Sequence, residues 1–316
     1  MAKDRFFVPA TRVLGADISG LIGTETAAGV SVSSELQIDL GPGWEAVVGS
    51  HAVSVMKHSS LILSAETSID GLVPDGRTAS QLVHDTALAI RLSSVCEFER
   101  QYVIAGNSNT GVGSVDSFRG WRRPHLVDQE ISPVSASAID GIVLGLGEAR
   151  RGDGFDRFGK AIGVFRGALS ASGSERLHGF MRSAQVLFRG KGRPKAEAIC
   201  KRMAQVACVD DREEFRELLN LRNQAEHLNP LSIHIRREDF RWSDSVWAFY
   251  RCFQAEVLAT EVIRRALMSP ELLKFFEHAN GPESFWALSD PNRQGVFGDS
   301  IDLTSSTLRK KFRGSG

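Results

Sequence analysis

The sequence predicts a mainly α-helical protein, with a C-terminal antiparallel helical bundle preceded by a smaller mixed α+β domain. The chain has 316 residues, 42% of them hydrophobic and 24% charged, which is the size and composition of two globular parts rather than one. Short alternating runs fill the first half, whereas long stretches of helical periodicity fill the second. We therefore expect domains over residues 1–150 and 151–280, followed by a C-terminal tail over residues 281–316.

The first domain combines strand and helix signals. Apolar residues alternate over residues 30–40 and then meet glycine and proline, which predicts short strands. Residues 78–94 repeat apolar side chains every three to four positions, which predicts a helix. Glycine, serine and asparagine are frequent from residue 106 to 154, so this stretch is interpreted as long loops with a domain boundary near residues 145–155.

Six stretches of the second half have helical periodicity. In chain order they are residues 155–169, 175–188, 196–207, 211–228, 243–268 and 269–280. Asp210 as N-cap, with Glu213 three residues later, predicts a capping box at the fourth stretch, and Pro230 prevents its continuation. Gly281 is expected to end the last helix and to begin a loosely attached tail. Because one helix cannot bury its apolar stripe alone, the four long helices predict an antiparallel bundle.

Charge is balanced over the chain but unevenly distributed along it. Basic and acidic residues both number 38, so net charge gives no overall attraction to nucleic acids or membranes. Residues 1–149 contain 10 basic and 17 acidic side chains, whereas residues 150–230 contain 16 and 10, which permits an anionic partner at the central segment. Without a leader, a long apolar run or closely spaced cysteines, the sequence indicates a cytoplasmic protein with reduced thiols and no membrane association.

The sequence RNQAEH lies on the last turns of a predicted helix. Histidine exchanges a proton near neutral pH and the planar fork of arginine matches two phosphate oxygens, so Arg222 and His227 suit phosphodiester chemistry. Asn223 is four residues before His227, on the same helical face, and can orient the imidazole. Arg222 is about 140° around the helix from His227, so the two meet only if the helix end unwinds or a second copy contributes.

The same residues also have a purely structural interpretation. Arg222 and Glu226 form an i,i+4 ion pair that stabilises a helix by about 0.2–0.5 kcal/mol, and His227 interacts favourably with the C-terminal end of the helix dipole. Glu226 would then modulate any site at this helix end by neutralising Arg222.

The bundle, the basic segment and the R-N-x-x-x-H string at a helix end together resemble the HEPN superfamily of nucleotide-binding and ribonuclease proteins. The resemblance covers about residues 155–268, and the more specific likeness is to HEPN domains that follow an N-terminal accessory domain. It implies a metal-independent endoribonuclease without a cofactor, in which Arg222, Asn223 and His227 are catalytic. His227 would assist attack of a ribose 2′-hydroxyl on the adjacent phosphodiester, and Arg222 would stabilise the phosphorane.

The resemblance also implies a biological setting. The role would be toxin-like or in anti-phage defence, with RNA as substrate, a homodimer formed through the bundle, and an N-terminal regulatory domain that receives a trigger. The alternative is a non-catalytic HEPN-like bundle that binds nucleotide, RNA or a protein partner.

Other polar residues are interpreted more simply. Candidate substrate-binding residues lie in the basic loop after the second predicted helix of the bundle, and they are Arg189, Lys191, Arg193 and Lys195. An exposed connector is the other interpretation of this loop. His178, His234 and His278 lack cysteine, aspartate or glutamate at metal-ligand spacing, so they are taken as structural or exposed and no metal site is predicted.

Overall fold

The structure is a computed structural model of the chain. It describes residues 4–14, 16–35, 45–46, 49–66, 77–94, 96–107, 113–118, 120–121, 132–151, 153–189, 195–236, 242–278 and 280–308. The described residues form two compact units, one made by those up to residue 121 together with 132–147 and the other by those from residue 148 onward. Helices predominate over strands, which confirms the prediction of a mainly α-helical protein.

A five-stranded antiparallel sheet forms the framework of the first unit. The strands of this unit are, in chain order, β1 (Asp4–Leu14), β2 (Ala16–Asp17), β3 (Val30–Ser33), β4 (Leu61–Glu66), β5 (Glu97–Asn107), β6 (Gly113–Phe118) and β7 (Ser132–Pro133). The sheet has the order β3, β4, β1, β5, β6, while β2 pairs with β7 in a short parallel ladder. Val30 and Val32 alternate into the interior as the sequence predicts, and the rest of that predicted strand region, residues 36–44, lies outside the described residues.

The helices of the first unit are α1 (Ser50–Lys57), α2 (Ala79–Ser93) and most of α3 (Ala136–Arg151), which crosses into the second unit at residue 148. The predicted helix at residues 78–94 is confirmed as α2, which packs against β1 and β4. Its start is a capping box, because the Thr78 hydroxyl accepts from the Gln81 N–H at 3.2 Å and the Gln81 side chain accepts from the Thr78 N–H at 3.0 Å.

The interpretation of residues 106–154 as long loops was wrong over α3. Apolar residues at helical spacing drive this helix, and those fully or almost fully buried are Ile139, Ile142, Val143 and Leu146. The glycines of this segment tolerate helical dihedrals, so burial of the apolar stripe outweighs their low helix propensity, which is about 1 kcal/mol each relative to alanine.

The second unit is built from helices and one short ladder. Its elements are α4 (Asp156–Ser170), α5 (Gly173–Phe188), α6 (Ala196–Val206), β8 (Ala207–Cys208), α7 (Glu213–Glu226), α8 (Asp244–Met268), α9 (Pro270–Lys274), α10 (Gly281–Trp286), α11 (Asp290–Phe297), β9 (Ile301–Asp302) and α12 (Ser305–Leu308). The predicted helices that correspond to α4 through α8 are confirmed, with ends that differ by one to two residues.

Helix α5 lies at the centre of this unit and packs against α4, α7 and α8. The stripe predicted from its sequence is completely buried and consists of Leu177, Phe180, Ala184 and Leu187. Gly179 permits the close approach of α4, because a Cβ atom at this position would lie 2.6 Å from the Cβ of Ala168. A connection of two residues between α4 and α5 folds the second helix back against the first.

Two buried ionic networks fix the helices that surround α5. Arg176 on α5 donates from Nη2 to the carboxylate of Glu256 on α8 at 2.9 Å. Arg251 on α8 pairs with Glu214 and Glu217 on α7, both at 2.6 Å. All of these side chains are at least nine-tenths buried, so the pairs hold α7 and α8 in one register.

The predicted capping box at Asp210 is not formed. The helix begins at Glu213, later than the sequence suggested, and its N-cap residue Arg212 makes no capping hydrogen bond. Asp211 instead accepts from the Glu213 N–H at 3.0 Å. Asp210 is therefore available to the C-terminal region, where it accepts from the Ser305 N–H at 2.8 Å.

The loosely attached tail predicted from residue 281 was also wrong for the residues that the structure describes. Gly281 begins α10 rather than ending a helix, and a Cβ atom there would lie 1.8 Å from the Phe275 carbonyl oxygen. The segment buries its large apolar side chains, namely Phe285, Phe297, Leu303 and Leu308. These residues are widely spaced in the sequence, so the short helices leave no long periodic pattern. Residues 309–316 lie outside the described part.

Within the described ranges, no helix combines the length and apolar character that crossing a bilayer requires.

Candidate functional site

The C-terminal end of α7 carries the predicted catalytic string and has an unusual backbone. His227 is the C-cap residue, and Leu228 follows in the left-handed region with φ of 56°. The Leu228 N–H donates to the Ala225 carbonyl at 3.2 Å, and the Asn229 N–H donates to the Gln224 carbonyl at 2.8 Å. These two bonds make a Schellman motif, which usually has glycine where this chain has leucine.

Arg222 lies inside this helix end and is only 7% exposed. Its Nη1 donates to Asn223 Oδ1 at 2.7 Å and pairs with Glu226 Oε2 at 2.8 Å. Its Nε is buried and has no hydrogen-bond partner among the described residues. Burial lowers the pKa of the Arg222 guanidinium below its usual range, although the Glu226 carboxylate opposes this effect.

The structure brings three of the four predicted residues into direct contact, but not the fourth. Arg222 contacts both Asn223 and Glu226, whereas the imidazole of His227 is exposed and makes no hydrogen bond to them in the described part of the chain. Only the backbone N–H of His227 is engaged, by donation to the Asn223 carbonyl at 3.1 Å. The predicted orienting contact from Asn223 to His227 is therefore absent, because Arg222 holds the Asn223 side chain.

The charges of this site affect the pKa of His178 on α5. Burial lowers the pKa of His178, the positive charges of Arg222 and Arg182 lower it further, and the Glu226 carboxylate raises it. Its Nε2 is buried and unpaired within the described residues. The sequence interpretation had taken His178 as structural or exposed.

The sequence of α5 contains a signal for His178 in the spacing of its polar residues. His178, Arg182, Gln185 and Arg189 are spaced by four, three and four residues, so they follow one face of α5. A polar stripe on a helix whose other side is a buried apolar stripe indicates a partly open groove rather than core.

That groove contains a pocket of about 190 Å³ between α4 and α5. Its polar lining residues are Arg157, Lys160, Arg182, Gln185 and Arg189, and its remaining lining is aliphatic. Among the described residues, four cations and no carboxylate line the pocket, so its electrostatic character is positive.

The candidate substrate-binding residues of the basic loop are only partly described. Arg189 ends α5, is half-buried and lines the pocket, whereas Lys195 is the exposed N-cap residue of α6. Lys191 and Arg193 lie outside the described residues. The residues that sequence reasoning missed are Arg157, Lys160 and Arg182, which are distributed over two helices and form no local motif.

Among the residues that the structure describes, no three His, Cys, Asp or Glu side chains are grouped as a metal site would require. The thiol of Cys252 is fully buried, and this burial raises its pKa to about 12, so it is not a reactive nucleophile.

No family model, no curated protein and no solved structure matches this chain.

Proposed function

We propose that this protein is a metal-independent endoribonuclease of the HEPN type, acting at the end of α7. The observation that carries the proposal is an exposed imidazole at His227 on the same helix end as the buried guanidinium of Arg222, on which the positive charges of Arg182 and Arg189 also act. The imidazole of His227 would serve as general base, and Arg222 would supply positive charge where a phosphorane develops.

The proposed reaction needs only the substrate's own 2′-hydroxyl as nucleophile. His227 accepts the 2′-hydroxyl proton, the 2′-oxygen forms a bond to the adjacent phosphorus, and the bond from phosphorus to the 5′-oxygen breaks. The departing 5′-oxygen takes up a proton from water, and His227 afterwards returns the proton it accepted to the solvent. The products are a 2′,3′-cyclic phosphate and a 5′-hydroxyl, so no atoms are lost or gained.

Arg222 must exchange partners for this reaction to proceed. In the free protein its Nη1 is held by Glu226, whose side chain is 44% exposed and can turn toward solvent. A phosphodiester at the helix end would take the place of that carboxylate, since a guanidinium binds two phosphate oxygens in a planar fork. Glu226 thereby competes with substrate and sets a threshold for binding.

The proposal includes a homodimer formed through the helices of the second unit. Arg222 and His227 point about 140° apart around α7, so one helix end does not present both to the same phosphate. A second α7 end across a two-fold axis would supply the missing partner. Leu228, 88% exposed beside His227, would lie at that contact. A toxin-like or anti-phage role, in which a signal to the first unit raises a measurable basal activity, belongs to the same proposal.

The test is cleavage of 5′-labelled RNA in excess EDTA by the wild-type protein and by His227→Ala. Wild type should produce fragments that end in 2′,3′-cyclic phosphate, and His227→Ala should be slower by about 10²–10⁴-fold, the usual contribution of a general base. His278→Ala is the matched control, because His278 is also an exposed histidine of the second unit. Equal rates for wild type and His227→Ala, or no cleavage by folded wild type, would contradict the proposal.

One observation favours the alternative of a non-catalytic bundle that binds nucleotide, RNA or a protein partner. Arg222 already has two partners, so RNQAEH can be a charge pair that stabilises the helix end. This alternative predicts RNA binding without cleavage, and with an affinity that His227→Ala does not change.

A further inference from the structure

We infer that the pocket between α4 and α5, lined by Arg157, Lys160, Arg182, Gln185 and Arg189, binds the phosphate and part of the ribose of one nucleotide of an RNA chain. The RNA identity of this ligand rests on the proposed function, whereas binding of a sugar phosphate does not. The inference thus adds a second, non-catalytic contact to the substrate path.

The positive charge of the pocket is only partly compensated within the protein. Lys160 pairs with Asp156 at 3.6 Å, but both side chains are more than three-quarters exposed, so the pair is weak. Arg182 and Arg189 make no ion pair in the part of the chain that the structure describes. Two uncompensated guanidinium groups at one concave site favour an anion.

A hydrogen bond holds Arg157 close to a second cation, Arg189. Its Nη2 donates to the Arg189 carbonyl, which fixes the guanidinium at the wall of the pocket. Burial lowers the pKa of Arg157, the carboxylate of Glu283 opposes this effect, and the positive charge of Arg189 lowers the pKa further. A bound phosphate would relieve the repulsion between the two arginines.

Two buried polar atoms at this site have no partner and indicate the kind of ligand. Arg189 Nε is a donor and Gln185 Oε1 is an acceptor, and neither makes a hydrogen bond among the described residues. Gln185 is only 3% exposed, so solvent does not easily replace the missing partner. Both side chains line the pocket, so a small rotation would let a phosphate oxygen satisfy the donor and a ribose hydroxyl satisfy the acceptor, which favours a sugar phosphate as the ligand.

The size of the pocket restricts how much of the ligand it holds. Its volume of about 190 Å³ is smaller than the roughly 300–1,000 Å³ of pockets that enclose drug-sized molecules. The pocket therefore holds the phosphate and an edge of the sugar, and the base stays outside. Lys160 and Arg182 are exposed, so the pocket opens to solvent and can admit an internal nucleotide of a chain.

The pocket is electrostatically continuous with the end of α7. The charges of both Arg182 and Arg189 act on the Arg222 guanidinium and lower its pKa. An RNA chain anchored in the pocket would therefore bring further phosphates into the range of the same positive charges that act on Arg222.

Binding of a fluorescein-labelled 12-nucleotide RNA to the His227→Ala protein tests the inference without interference from cleavage. Arg182→Ala and Arg189→Ala should each weaken binding about tenfold, as expected for loss of one charge-assisted hydrogen bond. Each should also reduce the slope of log affinity against log salt by about one. Lys201→Ala, which removes an exposed cation on α6, is the matched control and should change the affinity less than twofold.

Competition and one further variant identify the ligand chemistry. Adenosine 5′-monophosphate should displace the RNA better than inorganic phosphate, and adenosine should not displace it. Gln185→Leu should reduce the preference for RNA over DNA of the same sequence, because the acceptor for the 2′-hydroxyl is lost.

The possible results distinguish a failure of the pocket proposal from a failure of the ribonuclease proposal. If Arg182→Ala and Arg189→Ala bind RNA as tightly as their parent, the pocket is not an RNA site, even if wild type cleaves RNA. If both variants lose binding but wild type does not cleave RNA, the pocket is supported and the ribonuclease proposal fails. Binding of adenosine 5′-monophosphate without binding of RNA would overturn the RNA identity of the ligand, and displacement of RNA by adenosine would overturn the role of phosphate.

Discussion

Leu228 is the residue whose backbone departs most clearly from what its side chain prefers. An L-residue in the left-handed region loses about 1–2 kcal/mol relative to a right-handed conformation, and Leu228 adopts φ of 56° with its side chain 88% exposed. Neither burial of the side chain nor the backbone conformation that leucine prefers explains a leucine at this position. Strain of this kind is concentrated at functional sites, which agrees with its place next to His227.

Replacing Leu228 with glycine should stabilise the protein. Relief of the left-handed backbone outweighs the added flexibility of the unfolded chain, so we expect the free energy of unfolding to rise by about 0.5–1 kcal/mol, measured by urea denaturation. The same substitution at Leu144, exposed in the middle of α3, should lower it by about 1 kcal/mol. A destabilised Leu228→Gly protein would show that the left-handed backbone is not strained.

The proximity of His178 to Arg222 and Glu226 predicts opposite effects of two variants on one pKa. In NMR titrations, the pKa of His178 should lie below its ordinary value. Arg222→Gln should raise this pKa, because it removes a positive charge, and Glu226→Gln should lower it, because it removes a negative charge. Shifts of the same sign in the two variants would contradict the arrangement of α5 and α7.

The sign of this shift also fixes how His178 contributes to stability. Its folded pKa lies below its unfolded value of about 6.5, so the unfolded state binds the proton more readily. Stability is therefore complete above the unfolded pKa and decreases as the pH falls through it toward the folded pKa.

Among the helices, α7 depends on the buried network around Arg251. The guanidinium is completely buried and joins Glu214 and Glu217 of α7 to α8. Gln254 Nε2 donates to the Glu214 carboxylate at 2.9 Å and to the Leu303 carbonyl at 3.1 Å. The site at the end of α7 is thus supported by a rigid element and not by a loop.

Removing the positive charge of Arg251 measures how much the network contributes to the free energy of unfolding. Arg251→Met leaves two buried carboxylates without their cation, so the free energy of unfolding should fall by about 3–5 kcal/mol, measured by urea denaturation. Arg216→Met changes an exposed pair on the same helix and should alter it by no more than about 0.5 kcal/mol. Similar effects of the two substitutions would mean that the network does not hold α7.

Several of these elements could be predicted from the sequence, and the reasons are physical. The long helices α4, α5, α7 and α8 each bury one continuous stripe, which leaves a period of 3.6 residues in the sequence. Helix α3 was missed because the glycines between its stripe residues are typical of loops, and α10–α12 because helices of four to eight residues show too little periodicity.

The sequence predicted only those contacts of the candidate site that join residues close together in the chain. The pair of Arg222 and Glu226 follows from i,i+4 spacing and is present at 2.8 Å. The pocket needs side chains from α4 and α5 together, so packing between helices, which no short motif encodes, creates it. The contact of Asn223 with Arg222 rather than His227 likewise depends on burial that the sequence does not display.

For the whole molecule, the proposed dimer predicts complementation between two inactive variants. Arg222→Gln and His227→Ala should each be inactive alone. Mixed dimers, purified through a different tag on each variant, should recover about half of the wild-type activity, because one of two equivalent pairs is then complete. Mixed dimers as inactive as their parents would place the arginine and the histidine of each working pair on the same chain.

The central claim is that the protein cleaves RNA by attack of the substrate's own 2′-hydroxyl. The most direct measurement uses RNA that is 2′-O-methylated at every nucleotide except one, incubated with wild-type protein in excess EDTA. We predict a single cut on the 3′ side of the unmodified nucleotide, ending in 2′,3′-cyclic phosphate and absent with His227→Ala. Cleavage at methylated nucleotides, or an intact substrate when the unmethylated RNA is also left intact, would contradict the claim.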